Sequence, residues 1–228
     1  MLTATDLAKA DEATLTELND LVPMYEELAK TAKVHLLQSL VSRILVQMIF
    51  EAYFVGLSPE QTNQFRQMED MLLKLAGGSD EPVNQWRAAT LSLLKRDPEQ
   101  LNFDTTGFAE SIVTRTNRVL GSITDAAGSE ARDTALRVLI NNSIELARLM
   151  VVQKARLKVY MPEILPHQQV FFEADTMEDI GGEDEDSLDG REISCVVFPG
   201  VMKFGDENGQ QMQFRNVICK ARILCSQD

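Results

Sequence analysis

The chain has 228 residues, 44% of them hydrophobic and 25% charged, the composition of a globular protein long enough to bury a sizeable core. Its formal charge of -13 argues against general nucleic-acid binding, because phosphate contacts need a basic footprint. The three cysteines, Cys195, Cys219 and Cys225, are odd in number and lack C-x-x-C spacing, which argues against a disulfide framework; with only His35 and His167 beside them, a zinc site is not expected either.

The N-terminus, MLTATDLAKADEATL, has neither the basic start nor the apolar core of a signal peptide, so an intracellular protein, cytoplasmic or nuclear, is expected. Leu7, Leu15, Leu18, Leu21, Val22, Met24 and Leu28 recur at helical spacing, with Pro23 as a break. They lead into the most apolar run of the sequence, Val34 to Leu57. In its first half Leu36, Leu37, Leu40, Val41 and Ile44 oppose His35, Gln38, Ser39, Ser42 and Arg43. From Ile44 to Phe54 only Gln47 and Glu51 keep a polar line, and that half is expected to be buried on most sides. The run matches the ~20 residues needed to cross a bilayer, but Arg43, Gln47 and Glu51 near its centre argue for a core helix.

Ser58-Pro59-Glu60-Gln61 opens the next helix with Ser at the N-cap, Pro at N1 and Gln at N3. Phe65, Met68, Met71, Leu72 and Leu75 give it an apolar face, and Gly77-Gly78 ends it without the pattern of a phosphate loop. A helix from about Asp80 carries Val83, Trp86, Leu91, Leu93 and Leu94 and stops at Asp97-Pro98. Phe108, Ile112, Val113, Val119, Leu120 and Ile123 mark another, closed around Gly121 to Gly128. The last long helix starts near Ser129, with Leu136, Leu139, Ile140, Ile144, Ala147 and Met150 on one face. Leu157, Val159 and Met161 alternate with Arg156, Lys158 and Tyr160, which fits a helix extension or a strand; the extension is preferred.

Between Glu173 and Glu192 lie ten acids against Arg191 alone, about -9 of the total charge, which predicts a solvated, mobile loop. Beyond it Ile193 to Phe204 and Met212 to Cys225, separated by Gly205-Asp206-Glu207-Asn208-Gly209, read as a hairpin that must pack on the helices or on a partner. The fold expected is therefore mainly α: a helical bundle around a central buried helix over residues 1–161, an acidic linker over 162–192, and a C-terminal β-hairpin or small antiparallel sheet over 193–228.

KARLKVYMPEILPHQQ, TMEDIGGEDEDSL, VVFPGVMKFGDENG and RNVICKARILC together resemble the C-terminal region of large uncharacterised proteins of filamentous fungi. The resemblance implies a domain of a longer intracellular chain and supplies no catalytic residues.

The residues themselves point the same way. No G-x-S-x-G or similar context activates a nucleophile, and the carboxylates of a mobile loop cannot hold the fixed separation that acid/base catalysis needs. His167 reads as a surface histidine, and Gly181 to Asp186 lacks the EF-hand pattern. No catalytic residue, cofactor or metal is expected, nor a membrane or nucleic-acid partner. The function expected is protein binding by a scaffold domain, through the hairpin's free edge or a helix groove. Candidate partner-binding residues are Asp179, Glu183, Asp184, Glu185 and Asp186 of the acidic loop and Lys203, Arg215, Lys220 and Arg222 of the hairpin. Two alternatives stand beside it: the acidic loop binds a basic, histone-like tail, or a core rich in Met48, Met68, Met71 and Met150 encloses an apolar ligand.

Overall fold

Leu36, Leu40 and Ile44 fall on one side of helix α3 (Lys33–Leu45) and are almost completely buried, which makes this helix the axis around which the others assemble. The computed structural model in which it is seen describes residues 11–96, 104–124, 128–165, 168–182, 188 and 190–226. α3 runs on as a single π turn (Val46–Phe50) and ends there, short of Leu57. Ile44, Leu45, Val46, Ile49, Phe54 and Val55 are buried while Gln47 and Glu51 face solvent. Among the described residues no helix is long and apolar enough to cross a membrane.

Two short helices precede α3. Asp11 caps α1 (Glu12–Leu21) by accepting from Thr14 N at 2.8 Å, and the chain breaks at Val22–Met24 before α2 (Tyr25–Thr31). Leu18, Leu21 and Leu28 from this pair meet Ile112 and Val119 of α6 (Thr105–Ile123) and Ile140 and Ile144 of α7 (Glu130–Val151) in one core with α3. α4 (Pro59–Leu75) begins with the expected capping box, Ser58 and Gln61 bonding each other's backbone, and folds back on α5 (Asp80–Arg96). Its apolar face is largely uncovered: Met68, Met71 and Leu75 are exposed, and Glu69 is the one residue of the helix classed as buried.

The expectation of a mainly α bundle with a lone hairpin is corrected. Among the described residues the fold is mixed α/β, with two three-stranded sheets. The hairpin is present as β3 (Ile193–Phe198) and β4 (Gly200–Phe204) running back as β5 (Arg215–Cys219) and β6 (Ala221–Cys225), but two further strands flank it. β1 (Arg156–Tyr160), preferred above as helix, pairs antiparallel with β4; β2 (Met177–Asp179), inside the acidic window, pairs parallel with β6. The physical reason is that a lone hairpin leaves both edges of its ladder unpaired, and these two segments supply the missing donors and acceptors. Met177 also buries its side chain, and Glu178 meets Arg222 at 3.5 Å, which offsets the charge of that stretch.

Both arms of the hairpin change sheet in mid-course, at Pro199 and at Lys220. The tip half, with β1, forms a sheet of order β1-β4-β5; the base half, with β2, forms a sheet of order β2-β6-β3. The base sheet is well buried. Cys195 and Val197 of β3 enter the helical core, Ser42 donating to Val197 O at 2.8 Å, while Ile193, Val196, Ala221 and Ile223 build a second core with Met161, Phe172, Met177 and Leu188. The crossing demands glycine at position 200, where a Cβ would strike the Tyr160 ring and lie 2.8 Å from Ala221 N.

Candidate functional site

The tip sheet is the less buried of the two sheets. Of the fifteen residues in β1, β4 and β5 only Gly200 is buried, whereas in the base sheet four of the six residues of β3 are buried and β6 alternates between buried and accessible positions. β5 is its outer strand, so one side of that strand's backbone is unpaired by any described strand. Beside this edge stand Phe214, 62% exposed, and Ile218, 60% exposed. Residues 205–211 shape the tip: Gly205 and Gly209 have positive φ, and Asp206 accepts from Asn208 N and Gln210 N, each at 2.9 Å.

The predicted site residues do not form one patch. Lys203 pairs with Glu207, and Arg215 stands opposite Phe204, one residue out of step with Lys203, so the two cations project from opposite faces of the tip sheet. Arg215 makes no ion pair among the described residues. Lys220 sits where the strand crosses between sheets, and Arg222 lies in the base sheet beside Glu178. Asp179 serves the fold: its Oδ1 accepts from Cys225 N at 3.1 Å. Glu183, Asp184, Glu185, Asp186 and His167 lie outside the described residues.

A cluster that the sequence did not signal ties the tip sheet to the helices. Tyr53 Oη donates to Glu69 Oε2 at 2.9 Å, and Glu69 Oε1 receives Arg156 Nη2. Arg156 Nε donates to Asn84 Oδ1 at 3.1 Å, and Asn84 Nδ2 donates to Gly209 O, in the hairpin tip, at 2.9 Å. Burial, together with its bond to Glu69, pushes the Tyr53 phenol well above its ordinary range. Next to it burial, reinforced by Arg156, holds the Arg87 guanidinium below its ordinary value while its Nη2 donates to Gln153 O and Lys154 O at the end of α7. Apart from Tyr53 and Glu69, which are 16 residues apart, these partners are 66 to 125 residues apart in sequence, and no local pattern could have joined them.

Elsewhere, Leu37, Val41, Leu45, Phe50, Leu136 and Phe198 line an apolar groove of about 450 Å3 between α3, the π turn and α7. The four methionines of the apolar-ligand alternative are dispersed: Met68 and Met71 are exposed on α4, Met48 of the π turn packs against the helical core, and Met150 is a buried residue of α7. Among the described residues no three His, Cys, Asp or Glu side chains are grouped to hold a metal ion.

The chain is thus a mixed α/β fold with two three-stranded sheets among the described residues. It is similar to a stretch of Leashin from Aspergillus fumigatus, 29% identical over 199 residues. That similarity covers 82% of this chain and 4% of Leashin, so the chain spans a small fraction of the length of the relative it matches. No family model and no solved structure matches it.

Proposed function

We propose that this chain is a non-catalytic protein-interaction domain within a long intracellular fungal polypeptide, and that it works through the β5 edge of the tip sheet. The supporting observation is β5 itself: four of its five residues are exposed, and its outer edge is paired by no described strand. Exposed strand edges of this kind pair with extended segments of other chains. The partner expected is an extended, acidic and apolar segment. Its backbone continues the ladder beyond β5, a carboxylate meets Arg215, and apolar side chains cover Phe214 and Ile218.

The test is to capture partners of the full chain from fungal lysate, map the bound segment to a peptide, and measure its affinity for Arg215→Glu and Ile218→Lys variants. Both positions are exposed, so melting is expected to be unchanged while affinity falls by roughly tenfold or more in each, as for loss of a well-placed interfacial contact. Undiminished binding by both variants would remove β5 from the interface. The apolar groove beside α3 favours a second function, carriage of an uncharged apolar molecule, and native mass spectrometry of freshly purified protein would reveal such a cargo.

A further inference from the structure

We propose that Tyr53, Glu69, Asn84 and Arg156 form a latch, and that the tip sheet is an arm held by it against the helices. Two polar attachments hold this sheet. One is the crossing at Gly200, wedged between the Tyr160 ring and Ala221 N, where Tyr160 Oη accepts from Ala221 N at 3.3 Å and donates to Thr176 O. The other is the polar relay from Tyr53 through Glu69, Arg156 and Asn84 to Gly209 O. Apolar packing between the two points is uneven: Val159 and Tyr160 of β1 pack against the second core, whereas four of the five residues of β5 are exposed.

The relay has the attributes of a device with two positions. Its members come from four separate segments: the turn after the π helix, α4, α5 and β1. Asn84 has no exposed surface and both accepts from Arg156 and donates to the tip, so breaking either bond leaves a buried amide unsatisfied. Gly209 is fitted against it: a Cβ there would lie 2.9 Å from Asn84 Cβ, which makes the contact close and all-or-none. At the other attachment the ladders are already irregular, with register shifts between Val196 and Phe198 and between Val201 and Met202. β4 and β5, the strands beyond the anchored β1, are therefore the ones released when the relay opens, and the direction in which β5 presents its edge is set by the relay.

This inference rests on the edge-binding function only for what the arm carries. Amide hydrogen exchange on the full chain, without any partner, tests it. In Glu69→Gln and in Asn84→Ala the amides of β4 and β5 are expected to exchange roughly ten- to a hundredfold faster, the loss of one or two charge-assisted or buried bonds, with β3 and β6 unchanged. Equal acceleration in both sheets would show general destabilisation, and no acceleration would show that the relay holds nothing; either overturns the latch. Glu69→Gln keeps the side-chain volume and decides alone if Asn84→Ala does not fold. A failed latch leaves the β5 binding test standing, and a failed β5 test leaves the exchange result intact.

Discussion

Replacing Ile44 with Asp probes whether α3 is a core axis or a binding surface. Ile44 has no exposed surface and touches the core shared by α1, α3, α6 and α7. Deleting an isoleucine side chain from such a site costs about 3 kcal/mol in transfer and cavity energy. A carboxyl group placed there must also stay protonated, and carrying an ordinary acid up to pH 7 costs roughly 4 kcal/mol at 1.36 kcal/mol per unit. The sum, about 7 kcal/mol, rivals the whole stability of a typical domain, so the variant is expected to be unfolded at pH 7. The penalty is absent below the unfolded pKa, near 4, and grows as pH rises above it. Ile44→Ala is expected to remain folded with a melting temperature roughly 6 to 12 °C lower, at about 2 to 4 °C per kcal/mol for a chain of this size. Leu45→Asp is the control. That side chain borders the open groove, where water reaches a carboxylate, and the damage is expected to be smaller. Urea melts followed by circular dichroism and Trp86 fluorescence measure all three. An Ile44→Asp protein with the parent's transition would refute the placement of α3 at the centre.

Thiol titration is expected to find one fast group in the native chain, the exposed Cys219, while Cys195 and Cys225 react only after denaturation; burial pushes the Cys195 thiol up to about 11. Partial burial acts to raise the Glu17 carboxyl, but hydrogen bonds from Arg115 at 3.0 Å and Arg118 at 2.6 Å overcome it and hold it below its ordinary value. Its stabilisation is present above the unfolded pKa and lost as pH falls through the lower folded one. Glu17→Gln is therefore expected to melt lower at pH 7, by about 1 kcal/mol, and to converge with the parent in acid, as urea melts across pH would show. Gly200→Ala forces a methyl against the Tyr160 ring and the Ala221 backbone, and a loss of about 1 to 3 kcal/mol is expected; a neutral result would show that the crossing has slack.

What could be read from the sequence was whatever short-range chemistry determines. Ser58 with Gln61 and Ser129 announced helix starts that are found in place, because a cap is written within four residues. The hairpin around Gly205 to Gly209 was likewise legible from its turn residues. β1 was not, although its side chains alternate, because its partner β4 follows some forty residues later and α7 leads straight up to it. β2 is three residues long, too short for any period to register, and its acids suggested solvent rather than a sheet. Amphipathicity identified the apolar face of α4 but could not say that nothing covers Met68, Met71 and Leu75. At the candidate site Arg215 was picked out by charge. Phe214 and Ile218, the exposed apolar pair beside the free edge, lie in the Met212 to Cys225 strand segment, where nothing local separates an exposed apolar residue from a buried one.

The π turn of Val46–Phe50 has a consequence for how this chain is divisible. Its wider winding lets Ile49 continue into the helical core while Val46 enters the core of the base sheet, and Phe50 touches both. A single wide turn is thus the common wall of two rooms. Neither can be removed without opening the other, so the helices and the base sheet stand or fall as one unit.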